Sequence, residues 1–177
     1  SHLFLKYNKN LEFKNFSVSK LDIFLEKTSN DTYLRVFDNN LINTAILPQD
    51  KDNLRSGFSL VLDNENYQFD TGFEVYENLK TEKNSDRFQY TLPYYSISKK
   101  PILLERASFN ISSGGSNSLT STNKLTSKVV NTFSLKSYDI LTGMGFKNNL
   151  NAYLQNINII AKKNPSYKSS PQIKFVN

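Results

Sequence analysis

The sequence predicts an all-β chain, an antiparallel meander of two-faced strands. Two observations carry this. Apolar and polar residues alternate with a period of two through most of the chain, and the alternating runs are separated by turns rich in Asn, Asp, Ser and Gly. The pattern is clearest over residues 57–77. There Phe58, Leu60 and Leu62 alternate with Ser59, Val61 and Asp63. Next comes Asp63-Asn64-Glu65-Asn66, a turn sequence, because Asn and Asp tolerate left-handed backbone and bond their own main chain. Tyr67, Phe69, Thr71, Phe73 and Val75 then fall on one face, and Gln68, Asp70, Gly72 and Glu74 on the other. Two such runs around a polar turn predict a hairpin.

The other elements follow the same rhythm. Leu3, Leu5 and Tyr7 alternate, then Leu11 and Phe13, before a phase change to Phe16 and Val18 and a further run of Leu21, Ile23 and Leu25. Phe88, Tyr90 and Leu92 alternate up to Pro93, and Ala107, Phe109 and Ile111 up to Ser112. Phe133 and Leu135 alternate with polar neighbours, and Ile140, Thr142, Met144 and Phe146 read as one strand face. Leu150, Ala152 and Leu154 share a face before a switch to Ile157 and Ile159, which predicts a bulge or a strand end. Residues 149–162 also fit a helical spacing. Asn149, Asn151, Asn156 and Asn158 are poor helix formers, so strand is favoured. Residues 78–86 and 112–123 read as polar loops, and 164–171 as a connector. No boundary divides the chain, which reads as a single segment over 1–177.

Composition narrows the class. Of 177 residues, 38% are hydrophobic and 21% charged, which is too apolar for a disordered chain. Aromatics reach 13%, with 13 Phe, 10 Tyr and no Trp, and such side chains favour strands and membrane interfaces. The net charge of +6 is scattered among acidic residues rather than gathered into a binding patch. There is no cysteine, which excludes disulfides and thiolate metal sites. No run approaches the ~20 apolar residues of a membrane helix. A barrel strand needs only ~9–11 residues, every second one apolar.

Catalytic chemistry finds little to work with. The single histidine, His2, stands beside the start and reads as a remnant of a tag or cut site. Without further His or any Cys, ordinary zinc sites and a Ser-His-Asp triad are not available. The carboxylate pairs Asp50 with Asp52, Asp63 with Glu65, and Asp70 with Glu74 read as solvated groups in turns and on polar faces. Gly114-Gly115 and Gly143-Met144-Gly145 lack the Lys-Ser/Thr of a phosphate loop, and Gly143 and Gly145 read as strand glycines. Arg87-Phe88-Gln89-Tyr90 has the interleaving of a base-stacking surface but reads better as an ordinary strand. Neither an enzyme nor a cofactor, metal or nucleic acid partner is expected.

Several stretches resemble a known family. Ser29-Asn30-Asp31-Thr32-Tyr33-Leu34-Arg35 is similar to the Ser-Asp-Asp-Thr-Tyr-Leu-Arg segment of the lipopolysaccharide-assembly family LptD, also called the organic-solvent-tolerance family. Ser85-Asp86-Arg87-Phe88-Gln89-Tyr90-Thr91-Leu92-Pro93 resembles its Asp-Arg-Tyr-x-Tyr-x-Leu-Pro segment. Between them, Val75-Tyr76-Glu77-Asn78-Leu79 is similar to its Tyr-Glu-Asp-Leu, and residues 156–167 resemble a strand ending in Tyr-Lys-Ser. The resemblance covers about 16–172 and implies the N-terminal portion of a large transmembrane β-barrel. Too few strands are present to close that barrel, and the family's periplasmic jelly-roll domain and the cysteines of some members are missing from this chain.

What the resemblance implies is transport in the Gram-negative outer membrane: acceptance of lipopolysaccharide and its insertion into the outer leaflet. The implied partners are lipopolysaccharide, an LptE-like plug lipoprotein, an LptA-like periplasmic bridge and membrane lipid. On this reading Phe58, Leu60, Leu62, Tyr67, Phe69, Phe73 and Val75 face lipid, while Gln68, Asp70 and Glu74 face a lumen. The family-motif residues are Asp31, Thr32, Tyr33, Leu34, Asp86, Arg87, Tyr90, Leu92 and Pro93. A soluble, secreted β-sandwich serving as a binding or adhesion module would show the same alternation, its apolar face covered by a second sheet. Cover on that face is what separates the two.

Overall fold

The computed structural model describes residues 1–37, 48, 50–82, 86–120 and 124–164, with the backbone alone for 170–176. Among these residues nine strands form one antiparallel meander. They are β1 (His2–Asn10), β2 (Val18–Thr28), β3 (Asn53–Asp63), β4 (Tyr67–Asn78), β5 (Phe88–Leu103), β6 (Ala107–Thr120), β7 (Lys124–Ser137), β10 (Asn151–Lys162) and β11 (Ser170–Val176). A single helical turn, α1 (Tyr33–Val36), follows β2. The short strands β8 (Ile140–Leu141) and β9 (Lys147–Asn148) form a separate hairpin between β7 and β10. The sheet order is sequential and open, with β1 and β11 at its edges.

Each neighbouring pair joins for a local reason. β3 and β4 turn at residues 64–66, where Asn64 Oδ1 accepts hydrogen bonds from the backbone N–H of Asn66 at 2.8 Å and Tyr67 at 2.7 Å. β5 is irregular twice, and each irregularity falls on a proline. Its register with β6 shifts between Thr91 and Tyr94, around Pro93, and between Lys99 and Ile102, around Pro101. Proline has no N–H to give the ladder, so an interior strand accommodates it by bulging.

Several expectations need correction. Residues 112–120 are not loop but the second half of β6. Gly114 and Gly115 are ladder residues there, and a Cβ on Gly115 would lie 2.4 Å from the Tyr95 ring. Glycine at 115 lets the strand pass close to that tyrosine, so at that position the loop-like residue reflects packing. Residues 140–146 do not form one strand. They turn back on themselves, with Thr142 Oγ1 accepting from Phe146 N at 3.1 Å and Gly145 at φ +84°. Gly143 and Gly145 are therefore turn residues, with nothing within 4 Å of a Cβ on either. β10 carries no bulge. Its register with β7 is unbroken from Asn151 to Lys162, and the switch to Ile157 and Ile159 is an exchange of apolar residues between faces. Leu11 and Phe13 lie in the connection to β2, and Ser170 and Pro171 belong to β11. Residues 83–85, 121–123 and 165–169 of the expected loops and of the resemblance lie outside the described residues.

Close backbone approach gives a test. A Cβ on Gly57 would lie 2.2 Å from the Phe73 carbonyl oxygen, whereas one on Gly114 would meet nothing nearer than 3.6 Å. Gly57→Ala is expected to cost about 1–3 kcal/mol, as overpacking does. Gly114→Ala is expected to stay within ~0.5 kcal/mol of the parent. Urea midpoints of the two variants check this, and equal midpoints would contradict it.

Candidate functional site

The sheet has two chemically different faces. Leu62, Leu60 and Phe58 stand opposite Phe69, Thr71 and Phe73, with the Phe58 and Phe73 rings edge to face at 4.7 Å. Tyr67 and Val75 continue that face along β4. Gln68, Asp70 and Glu74 point to the other side. Glu74 accepts from Arg55 Nε at 3.2 Å and from the Tyr76 hydroxyl, and Asp70 Oδ1 is buried with no hydrogen-bond partner.

One hydrogen-bonded row crosses eight strands: Lys9, Leu21, Leu60, Thr71, Tyr95, Gly115, Val129 and Asn158. The main apolar clusters of that face do not follow the row. In β1 they are Leu3, Leu5 and Tyr7, centred four residues from Lys9, toward the start of that strand. In β2 they centre on Ile23, two residues from the row, and in β3 on Leu60, within it. In β6 and β7 the main cluster is Phe109, Ile111, Phe133 and Leu135, displaced to the opposite side, while Leu119, Leu125 and Val129 lie on the same face outside it. At β10 Leu150, Ala152 and Leu154 centre on Ala152, six residues from Asn158, with Ile160 of the same face beyond the row. The main cluster thus shifts about ten residues over seven strand spacings. At ~3.3 Å per residue and ~4.8 Å per strand, its slope across the ladder is about 45°. Polar side chains interrupt the same face in β6, β7 and β10. There Ser113 Oγ donates to Asn131 Oδ1 at 2.7 Å, and Asn158 Nδ2 donates to Asn156 Oδ1 at 2.5 Å.

At the end of the sheet where β2 passes to β3 and β4 to β5, two family-motif segments are clasped together. Arg87, 4% exposed, donates from Nε to Glu77 Oε1 at 2.7 Å. Its Nη2 and Nη1 donate to Asp31 Oδ1 at 2.7 Å and Oδ2 at 3.0 Å, a two-pronged pairing that suits the planar guanidinium. Lys27 adds a bond to Glu77 at 3.2 Å. The hydrogen bonds to Asp31, then those to Glu77, raise the affinity of Arg87 for its proton further, so the buried group stays charged. Beneath this clasp Leu34, Leu54 and Leu79 form a small buried cluster, with Phe4 and Tyr33 packed on it. His2, expected to be idle, stacks on Phe4 at 4.8 Å and shares a hydrogen bond with the Tyr33 hydroxyl at 2.9 Å.

A cavity of about 500 Å³ opens beside the clasp, lined by Lys6, Phe24, Glu26, Arg55, Tyr76 and Arg87 among others. Arg55 lies over the Phe24 ring at 4.5 Å while bound to Glu74, so its charge is already engaged. The other carboxylate pairs are accounted for by turns and ion pairs. Asp50 accepts from Asp52 N at 2.8 Å and Asn53 Nδ2 at 2.7 Å. Asp52 pairs with Lys80 and Arg35, and Asp63 with Lys100. Among the described residues no cluster of three or more His, Asp or Glu could hold a metal ion.

Of the motif residues, Asp31 and Arg87 meet directly, and Leu34 is buried under them. Thr32 and Tyr33 shape the α1 turn, Tyr90 runs along β5, and Leu92 and Pro93 occupy its first bulge. Asp86 is exposed. Sequence reasoning missed Glu77, Lys27 and Arg55 as partners, and Leu54 and Leu79 as core. A sequence signal existed only for Glu77, which sits in the Tyr-Glu motif.

Two outcomes follow. Arg87→Met removes the guanidinium that joins Glu77 to Asp31, leaving Lys27 on Glu77, and is expected to cost about 3 kcal/mol. Adding Glu77→Leu and Asp31→Leu should recover part of that loss, as read from urea titrations. Asp52 is held below the ordinary carboxylate range, first by Lys80 and then by Arg35. Its contribution to stability is complete above the unfolded carboxylate pKa and is lost as pH falls through the lowered one. Asp52→Asn should therefore lower stability in the neutral region and flatten the acid limb of a stability-against-pH curve, leaving the most acid end little changed. Comparison of the chain with protein-family models, characterised proteins and solved structures finds no match.

Proposed function

We propose that this chain is part of the wall of an outer-membrane β-barrel and takes part in lipopolysaccharide transport and insertion into the outer leaflet. The observation that carries the membrane reading is the sloping apolar band. Strands of transmembrane barrels tilt by roughly 35–45°, so a lipid belt level with the membrane must cross their hydrogen-bonded rows at that angle. A slope of about 45° matches. The face is also uncovered. Leu3, Leu5 and Tyr7 are 45–53% exposed, and the described residues provide no second layer over the main sheet.

The lipopolysaccharide reading is supported by the ordered motifs and by the meeting of two of them through Asp31 and Arg87. On this proposal the opposite face lines a lumen. Glu74, Arg55, Gln68 and Asp70 keep it polar, and the sheet works by holding and guiding an amphipathic lipid, without covalent chemistry. An LptE-like plug and an LptA-like bridge would engage it from the lumen and the periplasm.

Photocrosslinking in cells tests this. A benzophenone side chain at position 70 or 74 should capture lipopolysaccharide, and one at position 60 should capture bulk phospholipid. Capture of neither, or a chain that stays monomeric in buffer without detergent, would favour the soluble sandwich.

A further inference from the structure

Most of the highly exposed apolar residues gather at two neighbouring connections at the end opposite the clasp; Val36 at 68% and Ile160 at 66% lie elsewhere. At the β5–β6 connection Leu103, the last residue of β5, is 73% exposed and Leu104 52%. The β7–β10 connection holds Leu141 at 73%, Met144 at 87%, Phe146 at 67% and Leu150 at 63%. The two connections are tied together, because Tyr138 N donates to the Arg106 carbonyl at 2.9 Å. They are also ordered. Thr142 and Phe146 close the β8–β9 turn by hydrogen bonds, and Lys147 pairs with Asp139 at 2.6 Å.

In water such a hairpin is expected to be polar, since exposed turns gain nothing from apolar side chains. The sloping belt explains the exception. In β10 the belt is already displaced toward this end and centres on Ala152. An apolar belt ~25 Å tall extends along a strand tilted by about 45° for roughly five residues on either side of its centre. Leu150 then lies inside the belt, and the hairpin stands where hydrocarbon gives way to headgroups. Tyr138 and Phe146 are the ring types that settle there, and Arg106 and Lys136 supply cations for anionic headgroups.

We infer that the β8–β9 hairpin, with the β5–β6 turn beside it, is a membrane-interface anchor: it lies against the headgroup–acyl boundary of one leaflet, and its ligand is the lipid surface itself. This rests on the barrel reading and adds a site to it, since the hairpin belongs to neither sheet face. Anchored so, it would fix the depth of β7 and β10 in the bilayer.

The absence of native cysteine makes the test clean. Met144→Cys, Ala152→Cys and Glu65→Cys, each in the full chain, are labelled with an environment-sensitive fluorophore. They are reconstituted into phosphatidylcholine–phosphatidylglycerol vesicles containing brominated phosphatidylcholine. Position 152 reports the belt and position 65 a polar turn. The expected result is a blue shift and bromine quenching at 144 comparable with that at 152, with neither at 65. Quenching at 152 but not at 144 overturns the anchor and leaves the barrel standing. Quenching at neither position overturns the barrel reading and the anchor with it. Leu141→Asp with Phe146→Asp should abolish the signal at 144 while preserving it at 152. If the signal at 144 persists in that variant, the hairpin is held by something other than lipid, and the inference fails.

Discussion

Backbone hydrogen bonds between neighbouring strands hold this protein together, and a single-layer sheet offers little else. In a layered domain the apolar faces of two elements cover each other, and that burial supplies most of the stability. Here the buried apolar cluster among the described residues is Leu34, Leu54 and Leu79, at one end of the sheet. The apolar residues along β1 to β4 have only their neighbours on the same face. Such a surface needs cover. In lipid that need disappears and a different rule takes over, that every backbone N–H and C=O must find a partner. Among the described residues the paired stretches meet it, while the outer edges of β1 and β11, the two breaks in β5 and the end of β2 beyond Phe24 lie outside the ladders.

The clasp solves a different problem. Beyond β2 the chain enters the α1 turn, and Asp31 ahead of that turn has to be held against the sheet. Arg87, at the foot of β5, does this by gripping Asp31 and, at the end of β4, Glu77. Burial of a guanidinium is costly unless its hydrogen bonds are filled, and here both carboxylates fill them. The arrangement contributes specificity of register more than net stability, because any slip of β4 against β5 separates Glu77 from Arg87.

The strands were legible in the sequence because a half-buried strand writes itself with a period of two. The hairpin of β3 and β4 could be read almost to the residue from Phe58 through Val75. The 112–120 segment was misread because Ser and Gly are the residues both of loops and of strands that pass close to a large ring. Tyr95, which makes Gly115 necessary, lies on another strand. Residues 140–146 failed in the opposite way, since Ile140, Thr142, Met144 and Phe146 alternate by chance across a turn set by Gly145. The clasp was visible only as separate motif residues, because the sequence does not show which charges meet across 56 positions. The slope of the apolar band required register, which no single strand contains.

That slope is where the membrane reading stands or falls. Polarised infrared dichroism of the amide bands, with the chain in oriented bilayers, measures strand tilt directly. A tilt of about 45° from the bilayer normal is the expected result. Strands lying in the membrane plane, or with no preferred orientation, would contradict it.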